Sequence, residues 1–245
     1  MPDSRADFPS AFANHLAFLS RHRGLLEEDA GGTWINGRIP ELTSWTPRAD
    51  DSATPPACPA VRLAPWCGPH WDARLAGAGF ARGETLVYMA LADPTRPIPH
   101  DGSTRVEAVS DEAGSLEFAR VQNLGFATGS STVDAWWAGF FREQALVASR
   151  DPDQTLLLGR RGEVAVGTTL ALRAAGVLGI YAVTTLPDQR RQGVSAALLD
   201  HVRRACAGPG RIILQAMAGS YAEQYYARLG FNEVGRLSVW RREQS

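Results

Sequence analysis

The stretch "DQRRQGVSAALLDHVRRA", residues 188–205, decides how this chain is interpreted, because a polar turn runs directly into a helical pattern. Apolar side chains recur at helical spacing after Gly193, which predicts a helix whose buried face consists of Val194, Ala197, Leu198, His201, Val202 and Ala205. The first turn of a helix carries backbone N–H groups without intrahelical partners, at the positive end of the helix dipole. Two arginines and a glycine therefore stand where an anion is favoured.

The turn follows a predicted strand, "VLGIYAVTTLP", which ends at Pro187. A turn of consecutive amides between a strand and a helix can wrap a phosphate. Gly193 allows close backbone approach or a left-handed conformation, and Arg190 and Arg191 add charged donors. The spacing fits an ordinary solvated turn equally well, so on its own it leaves both interpretations open.

Composition and charge limit the function classes. The formal net charge is −1, which argues against nucleic acid as the main partner. The chain contains no lysine, which excludes a Walker-type phosphate loop. No apolar run approaches the roughly 18 residues of a membrane span, so we expect no membrane association.

Cysteine usage and the N-terminal sequence indicate the compartment. The three cysteines, Cys58, Cys67 and Cys206, are odd in number and widely spaced, which predicts reduced thiols in a cytoplasmic protein. The first residues lack a basic segment followed by an apolar core, so they are a poor secretory signal. Neither the cysteines nor the five histidines show metal-ligand spacing, so we expect no metal site.

The order of predicted elements is clearest from Thr104 onward. Strand and helix patterns follow one another as β-α-α-β-β-β-α-β-α-β, which mixes antiparallel runs with a βαβ crossover. The helix that starts "SDEAG" is expected to be capped by Ser110. The fold class predicted is therefore α/β with a mixed sheet.

The first 100 or so residues read as a smaller mixed unit. Helical spacing extends over residues 8–28, and residues 92–103, with three prolines and no periodicity, are expected to link the two lobes. Residues 71–89 also echo residues 225–240, since each has a helix end, a Gly-Phe turn and a strand. Chance similarity explains this echo about as well as duplication does.

The two motifs together resemble the GNAT N-acetyltransferase superfamily. The run Arg190-x-x-Gly193-x-Ser195 after a strand is similar to its cofactor motif, [Q/R]-x-x-G-x-[G/A], with serine where the family has glycine or alanine. Downstream, "LQAMAGSYAEQYYARLGF" resembles the family's fifth strand and the helix that ends in Y-x-x-x-G-F. The likeness covers residues 104–245. It implies a GNAT domain there and, if the echo is real, a degenerate partial copy in residues 1–100 that binds no cofactor.

The resemblance implies acetyl-CoA, or another acyl-CoA, as the donor. The diphosphate is expected on the backbone of the loop, and the pantetheine arm is expected to pair with the preceding strand, whose backbone N–H groups would stabilise the oxyanion. The residues implied to bind the donor are Val183, Thr184, Thr185, Arg190, Arg191, Gln192, Gly193, Val194 and Ser195.

Tyr226 matches the family tyrosine that protonates the departing thiolate as a general acid. A phenol suits this role because it stays neutral at pH 7. The alternative is that Tyr225 and Tyr226 are both packing residues. Adjacent helical positions lie about 100° apart, so at most one of the two faces a cleft.

No residue is identified as the general base. Tyr181 could project into the cleft, but a strand tyrosine is more often a core residue, and Glu223 is expected to be a solvated acid. Asn123 and Asp134 could shape an acceptor pocket, although polar roles on a helix surface are commoner. One of Trp136 and Trp137 is expected in the core, and the other is expected to line the acceptor site. The predicted function is transfer of an acetyl group to a primary amine of a small molecule or peptide.

The competing class is a non-catalytic module with the same fold that senses acyl-CoA or serves as a partner domain. An intact loop together with Tyr226 favours the enzyme. The junction of the two lobes is expected either to narrow the acceptor cleft or to form the surface of a homodimer.

Overall fold

The computed structural model of the chain describes residues 7–50, 55–206, 208 and 210–242. In chain order its elements are α1 (Phe8–His22), β1 (Gly24–Glu28), β2 (Gly32–Gly37), β3 (Ser44–Pro47), β4 (Ala60–Leu63), α2 (His70–Gly77), β5 (Phe80–Leu91), β6 (Arg105–Ala108), α3 (Glu112–Phe126), α4 (Ser131–Ala148), β7 (Gln154–Arg161), β8 (Val164–Ala174), β9 (Val177–Thr185), α5 (Val194–His201), β10 (Ile212–Met217), α6 (Tyr221–Arg228) and β11 (Phe231–Arg242). The order predicted from Thr104 onward and the mixed α/β class are confirmed.

The residues cluster into two compact units. Unit 1 comprises Met1–Ala90 with Gln215–Ser245, and unit 2 comprises Leu91–Leu214. The predicted lobes, residues 1–100 and 104–245, were defined by resemblance to a family domain, whereas these units are defined by compactness. The division into lobes therefore stays a prediction. Among the helices of the described residues, none is both long enough and apolar enough to cross a membrane.

In unit 1 the strands neighbour one another in the order β1-β2-β3-β4-β11-β5. The helix predicted over residues 8–28 is too long, because α1 ends at His22 and residues 24–28 pair antiparallel with β2. Gly24 lies opposite Gly37, and a Cβ on Gly24 would stand 2.0 Å from the Asn36 carbonyl oxygen. Cross-strand pairing therefore overrides the helical spacing of Leu25 and Leu26 at this point.

The predicted echo corresponds to two matching substructures in unit 1. Helices α2 and α6 both have 8 residues, and strands β5 and β11 both have 12. A left-handed glycine precedes each strand, Gly79 with φ +78° and Gly230 with φ +93°. When these glycines are aligned, Leu75 stands where the second copy has Tyr226, so the first copy lacks the phenol.

In unit 2 the strand order is β10-β9-β8-β7-β6. The β10–β9 pair is parallel, and the remaining neighbours are antiparallel. Strand β8 is buried along nearly its whole length, as expected of a strand covered on both faces. Helix α3 packs on β7, β8 and β9, and α5 packs on β6 to β9.

Two glycines bring the start of α5 close to the sheet. Gly159 of β7 lies opposite Gly167 of β8. A Cβ on Gly167 would stand 2.6 Å from Val194 Cγ1, and one on Gly159 would stand 3.4 Å from Val194 Cγ1 and Leu198 Cγ. The first turn of α5, with the loop before it, therefore rests on a glycine pair that only the strand register brings together.

The segment predicted as a linker, residues 92–103, is tied to α5 rather than free. Ile98 is buried, and its N–H donates to the Asp200 carboxylate at 2.9 Å. Arg203 and Arg204 also donate to Asp200, each at 2.9 Å, and His100 Nε2 lies 3.7 Å away. Burial by itself would raise the pKa of Asp200, but these hydrogen bonds outweigh it and hold the pKa below its usual value.

Replacing Asp200 with Asn is expected to lower the free energy of unfolding by about 2–3 kcal/mol at pH 7, because Arg203, Arg204 and the Ile98 N–H lose the charged acceptor that they share. The folded pKa lies below the unfolded value of about 3.9, so this stabilisation is complete above about pH 5 and is lost as the pH falls through the folded pKa. Urea unfolding of both proteins at pH 7 and at acid pH measures it.

The matched control is Asp72→Asn, since Asp72 forms an exposed pair with Arg82 at 3.6 Å. That change is expected to cost no more than about 0.5 kcal/mol. Equal losses for the two variants at pH 7 would contradict the role given to Asp200.

Candidate functional site

The loop between β9 and α5 contains two residues with positive φ. Arg191 is left-handed with φ +60°, and Gly193 is left-handed with φ +76° and ψ −1°. Alternation between left- and right-handed residues forms the amide nests that hold phosphate groups. Gly193 is the N-cap of α5, and its carbonyl accepts the first intrahelical hydrogen bond from Ala197 at 2.9 Å. Positive φ at Arg191 was not visible in the sequence.

Arg190 holds the loop against the rest of unit 2. Its guanidinium donates to the carbonyl oxygens of Gly125 at 2.9 Å and Thr185 at 3.3 Å. Gly125 lies so close to β9 that a Cβ there would stand 2.1 Å from Thr184 Oγ1. Arg190, predicted as a donor to the ligand, thus bonds the end of α3 and the end of β9 in this structure, which makes it a positioning residue for the loop.

Arg161, which lies outside the loop motif and was not predicted, also contacts the loop. Arg161, the last residue of β7, donates to both the side-chain and the main-chain oxygen of Gln192. It also donates to Ser103 Oγ at 2.9 Å, and the Asp101 carboxylate lies 3.5 Å away. The hydroxyl and amide of Ser103 hold the pKa of Asp101 below its usual value. Arg161 is 31 residues from Gln192 in the chain, so only the sheet register reveals the contact.

The end of β9 departs from regular pairing at the predicted pantetheine segment. Thr168 pairs with Thr184 while Leu170 pairs with Tyr181, so two residues of β9, Ala182 and Val183, stand opposite one of β8. Ala182 has φ +52°, and its carbonyl accepts from Thr168 Oγ1 at 2.8 Å. This is a β-bulge, a feature that is common next to active sites.

The pairing of β9 with β10 stops just before the bulge. The register runs from Leu178 opposite Ile212 to Ile180 opposite Leu214. The predicted residues Val183, Thr184 and Thr185 lie beyond it, on the part of β9 that pairs with β8. Val194 is buried against the glycine pair, so only its backbone is in a position to meet a ligand, whereas Ser195 is half-buried.

Tyr226 lies on α6 in unit 1. Ser220 caps this helix by accepting from the Glu223 N–H at 3.2 Å. Tyr226 is 8% exposed and packs edge-on against Phe231, with the ring centroids 6.0 Å apart, while Tyr225 is more exposed. Burial raises the pKa of Tyr226 above that of an ordinary phenol, and proximity to Tyr225 adds to the shift. The packing role considered for Tyr226 therefore holds, and its chemical role stays a prediction.

Asp134, a candidate for shaping the acceptor pocket, and Glu223, expected to be a solvated acid, are both engaged in local structure. Asp134 accepts from Thr128 through both its N–H, at 2.8 Å, and its hydroxyl, at 2.9 Å, and from the Gly129 N–H at 3.2 Å. Glu223 accepts from the Gly219 N–H at 2.6 Å and from Arg236 at 3.2 Å. Neither carboxylate is set up as a base, so the structure assigns no general base.

A cavity of about 290 Å³ lies at the opposite end of α5 from the loop. His201, Ala205 and Cys206 line it together with Arg173 and residues of β6 to β9. His201, expected on the buried face, is half-buried there, and burial lowers its pKa. The predicted donor-binding residues are absent from this lining, and the described residues contain no metal-binding group of three or more His, Cys, Asp or Glu.

Comparison with known proteins was made for sequence and for structure. Residues 124–239 match the family model described as an acetyltransferase (GNAT) domain. No curated protein matches the chain. A GCN5-related N-acetyltransferase from Kribbella flavida superposes with a TM-score of 0.67 at 17% identity, covering 100% of this chain and 96% of that one.

Two further solved structures are similar over most of the chain. A functionally unknown conserved protein from Staphylococcus epidermidis has a TM-score of 0.67 at 13% identity, covering 89% of this chain and 93% of that one. A tandem GNAT protein from the clavulanic acid biosynthesis pathway, solved without AcCoA, has a TM-score of 0.54 at 11% identity, covering 88% and 80%. These likenesses confirm the predicted fold.

Proposed function

Because residues 124–239 match the model of a GNAT acetyltransferase domain, we propose that the chain is an acyltransferase that transfers an acetyl group from acetyl-CoA to a primary amine. Members of this family use an acyl-CoA, typically acetyl-CoA, as donor. The acceptor is proposed to be a small molecule or a peptide.

The observation that carries the proposal is the conformation of the loop before α5. Left-handed Arg191 and Gly193 flank Gln192, and a helix begins directly after them. Residues 191–195 are proposed to hold the diphosphate of the donor through backbone N–H groups, which suits an anion at the positive end of a helix. Arg190 and Arg161 fix the position of the loop through the contacts described above.

The β-bulge supports the proposed seat of the pantetheine arm. Residues 183–185 lie beyond the register with β10, and the left-handed Ala182 re-orients the backbone at this point. We propose that this backbone pairs with the arm and that an N–H group of the segment stabilises the oxyanion. Preorganised donors of this kind are worth most where water is excluded.

Acetyl-CoA supplies the acetyl group as a thioester. The acceptor nitrogen forms a bond to the carbonyl carbon, and the C–S bond breaks so that CoA leaves as a thiolate. The nitrogen loses its proton to water, and water returns a proton to the Tyr226 phenolate once the phenol has protonated the sulfur. Tyr226 is proposed to give its hydroxyl proton to the departing sulfur, and the pKa raised by burial keeps that proton on the phenol at neutral pH. The proposal assigns no general base.

Thermal denaturation with and without acetyl-CoA, followed by thiol release over a panel of amines, tests the proposal. We expect acetyl-CoA at 100 times its Kd to stabilise the protein by about 2.7 kcal/mol. Amine-dependent release of CoA should accompany it. Stabilisation without release for any amine would favour the acyl-CoA-binding module. Absence of stabilisation at millimolar acetyl-CoA would overturn both the acetyltransferase and the acyl-CoA-binding module.

We also propose that the protein is cytoplasmic and that it forms a homodimer. The location is supported by the three cysteines, which are all free thiols.

A further inference from the structure

Five aromatic side chains form a cluster at the end of α3 and on α4 between residues 136 and 141. We call it the aromatic platform; its members are Phe126, Trp136, Trp137, Phe140 and Phe141. Trp136 stacks on Phe140 at 5.6 Å, Trp137 stacks on Phe141 at 5.3 Å, and Phe126 lies 6.2 Å from Phe141. The rings therefore make one continuous apolar surface.

The aromatic platform is not part of the core. Phe126 is 48% exposed and Trp136 is 44% exposed. The buried residues of α4 are Gln144, Ala145 and Ala148, all in the last two turns, so the part of the helix that carries the rings is not buried. Trp137, Phe140 and Phe141 are half-buried. A contiguous aromatic surface that is partly exposed in this way marks a binding site more often than it marks ordinary surface. Neither tryptophan is fully buried, which corrects the expectation that one belongs to the core.

The platform begins next to the segment proposed to hold the acyl group. Phe126 directly follows Gly125, which lies against Thr184 and whose carbonyl accepts from Arg190. One end of the aromatic surface is thus fixed beside the β-bulge, and the surface extends from there along α4. An acceptor whose amino group reaches residues 183–185 would place the rest of the molecule in contact with the rings.

The carboxylate of Asp134, near the platform on α4, is engaged in the loop before the helix, since it accepts three hydrogen bonds from Thr128 and Gly129. An aromatic surface binds a flat apolar body by stacking, and it also tolerates the positive charge of an incoming ammonium.

Resting on the proposed function, we propose that the acceptor is a primary amine carried by an aromatic or bulky apolar body, which stacks on the aromatic platform. The selecting residues are Trp137 and Phe141, which link Phe126 to the rest of the cluster. They are specificity residues rather than catalytic ones.

Steady-state thiol release with the full chain and saturating acetyl-CoA tests the proposal. The probes are 2-phenylethylamine and tryptamine as aromatic amines, and ethylamine and spermidine as non-aromatic ones. We expect kcat/KM for the aromatic pair to exceed that for the other two by about 30-fold or more, the effect of a stacked aromatic anchor. The double variant Trp137→Ala, Phe141→Ala should lower kcat/KM for the aromatic pair, relative to that for ethylamine, by at least about tenfold.

Val147→Ala is the matched control, because Val147 lies on the same helix at 40% exposure, outside the platform. It should leave the preference unchanged. Quenching of tryptophan fluorescence by 2-phenylethylamine, lost in the double variant, gives a readout that needs no turnover.

Each outcome has a separate meaning. Release of CoA with every amine at similar kcat/KM would overturn the proposed acceptor class and leave the acetyltransferase standing. Absence of release with all four amines, together with quenching by 2-phenylethylamine, would count against the proposed function and support the platform as an aromatic-amine site. A dimer in sedimentation that the double variant converts to a monomer would overturn the proposal in favour of a second copy of the chain as occupant.

Discussion

The variant Tyr226→Phe is expected to lower kcat by about 10²- to 10³-fold, the size of a lost general-acid contribution. The change removes one hydroxyl and keeps the ring that packs against Phe231. Binding of acetyl-CoA, measured by calorimetry, should therefore change less than about twofold. The loss of kcat is measured by steady-state kinetics with the best amine of the panel.

The pH dependence follows from the direction of the pKa shift. Burial raises the pKa of Tyr226 above its ordinary value of about 10, so the proton remains in place over the working range of an amine acetyltransferase. Activity should not fall between pH 7 and pH 9 through ionisation of this group. The deficit of Tyr226→Phe should accordingly be constant over that range.

Tyr221→Phe is the matched control on the same helix, since Tyr221 is 65% exposed. It should keep the wild-type kcat. If Tyr226→Phe retains more than half of the wild-type kcat, Tyr226 is a packing residue only, and the proposed mechanism loses its acid.

The variant Gly193→Val is expected to weaken binding of acetyl-CoA by about 30- to 100-fold, as one or two charge-assisted backbone hydrogen bonds are lost. Gly193 has φ +76°, a conformation that a β-branched residue strongly disfavours. The nearest atom to a Cβ there, Asp101 Oδ1, is 3.6 Å away, so the change strains the backbone without crowding it. Calorimetric titration measures the Kd.

Gly176→Val separates this effect from a general loss of stability. Gly176 has φ +73°, and a Cβ there meets no atom within 4 Å. It belongs to the turn between β8 and β9 of the same unit. Both variants should lose about 1–2 kcal/mol of stability, but only Gly193→Val should lose affinity. Equal Kd values for acetyl-CoA in the Gly193→Val and Gly176→Val variants would contradict the proposed diphosphate site.

Much of the site was readable because its signals are local. A strand that ends in proline, a polar turn and a helical pattern all lie within residues 177–205. The order of the elements of residues 104–245 was likewise visible, since each pattern lies within its own element. The predicted cap of α3 was wrong by one residue, because the Asp111 carboxylate, and not Ser110, accepts from the Gly114 N–H.

Features that depend on register could not be read. The β-bulge at Ala182 exists because Thr168 and Leu170 of another strand set the pairing. Arg161 reaches Gln192 only because β7 ends beside the loop. The same holds for Ile98, which a proline-rich sequence suggested to be linker and which Asp200 holds in place.

The sequence by itself determined the order of the elements from Thr104 onward, the fold and the position of the loop, because periodicity and motif spacing act over a few residues of backbone. Only the tertiary structure decided which side chains hold that loop and that five rings of α3 and α4 form one partly exposed cluster. Strand pairing and helix packing join residues tens of positions apart, and their geometry depends on close contacts, such as Gly125 on Thr184, that leave no local pattern.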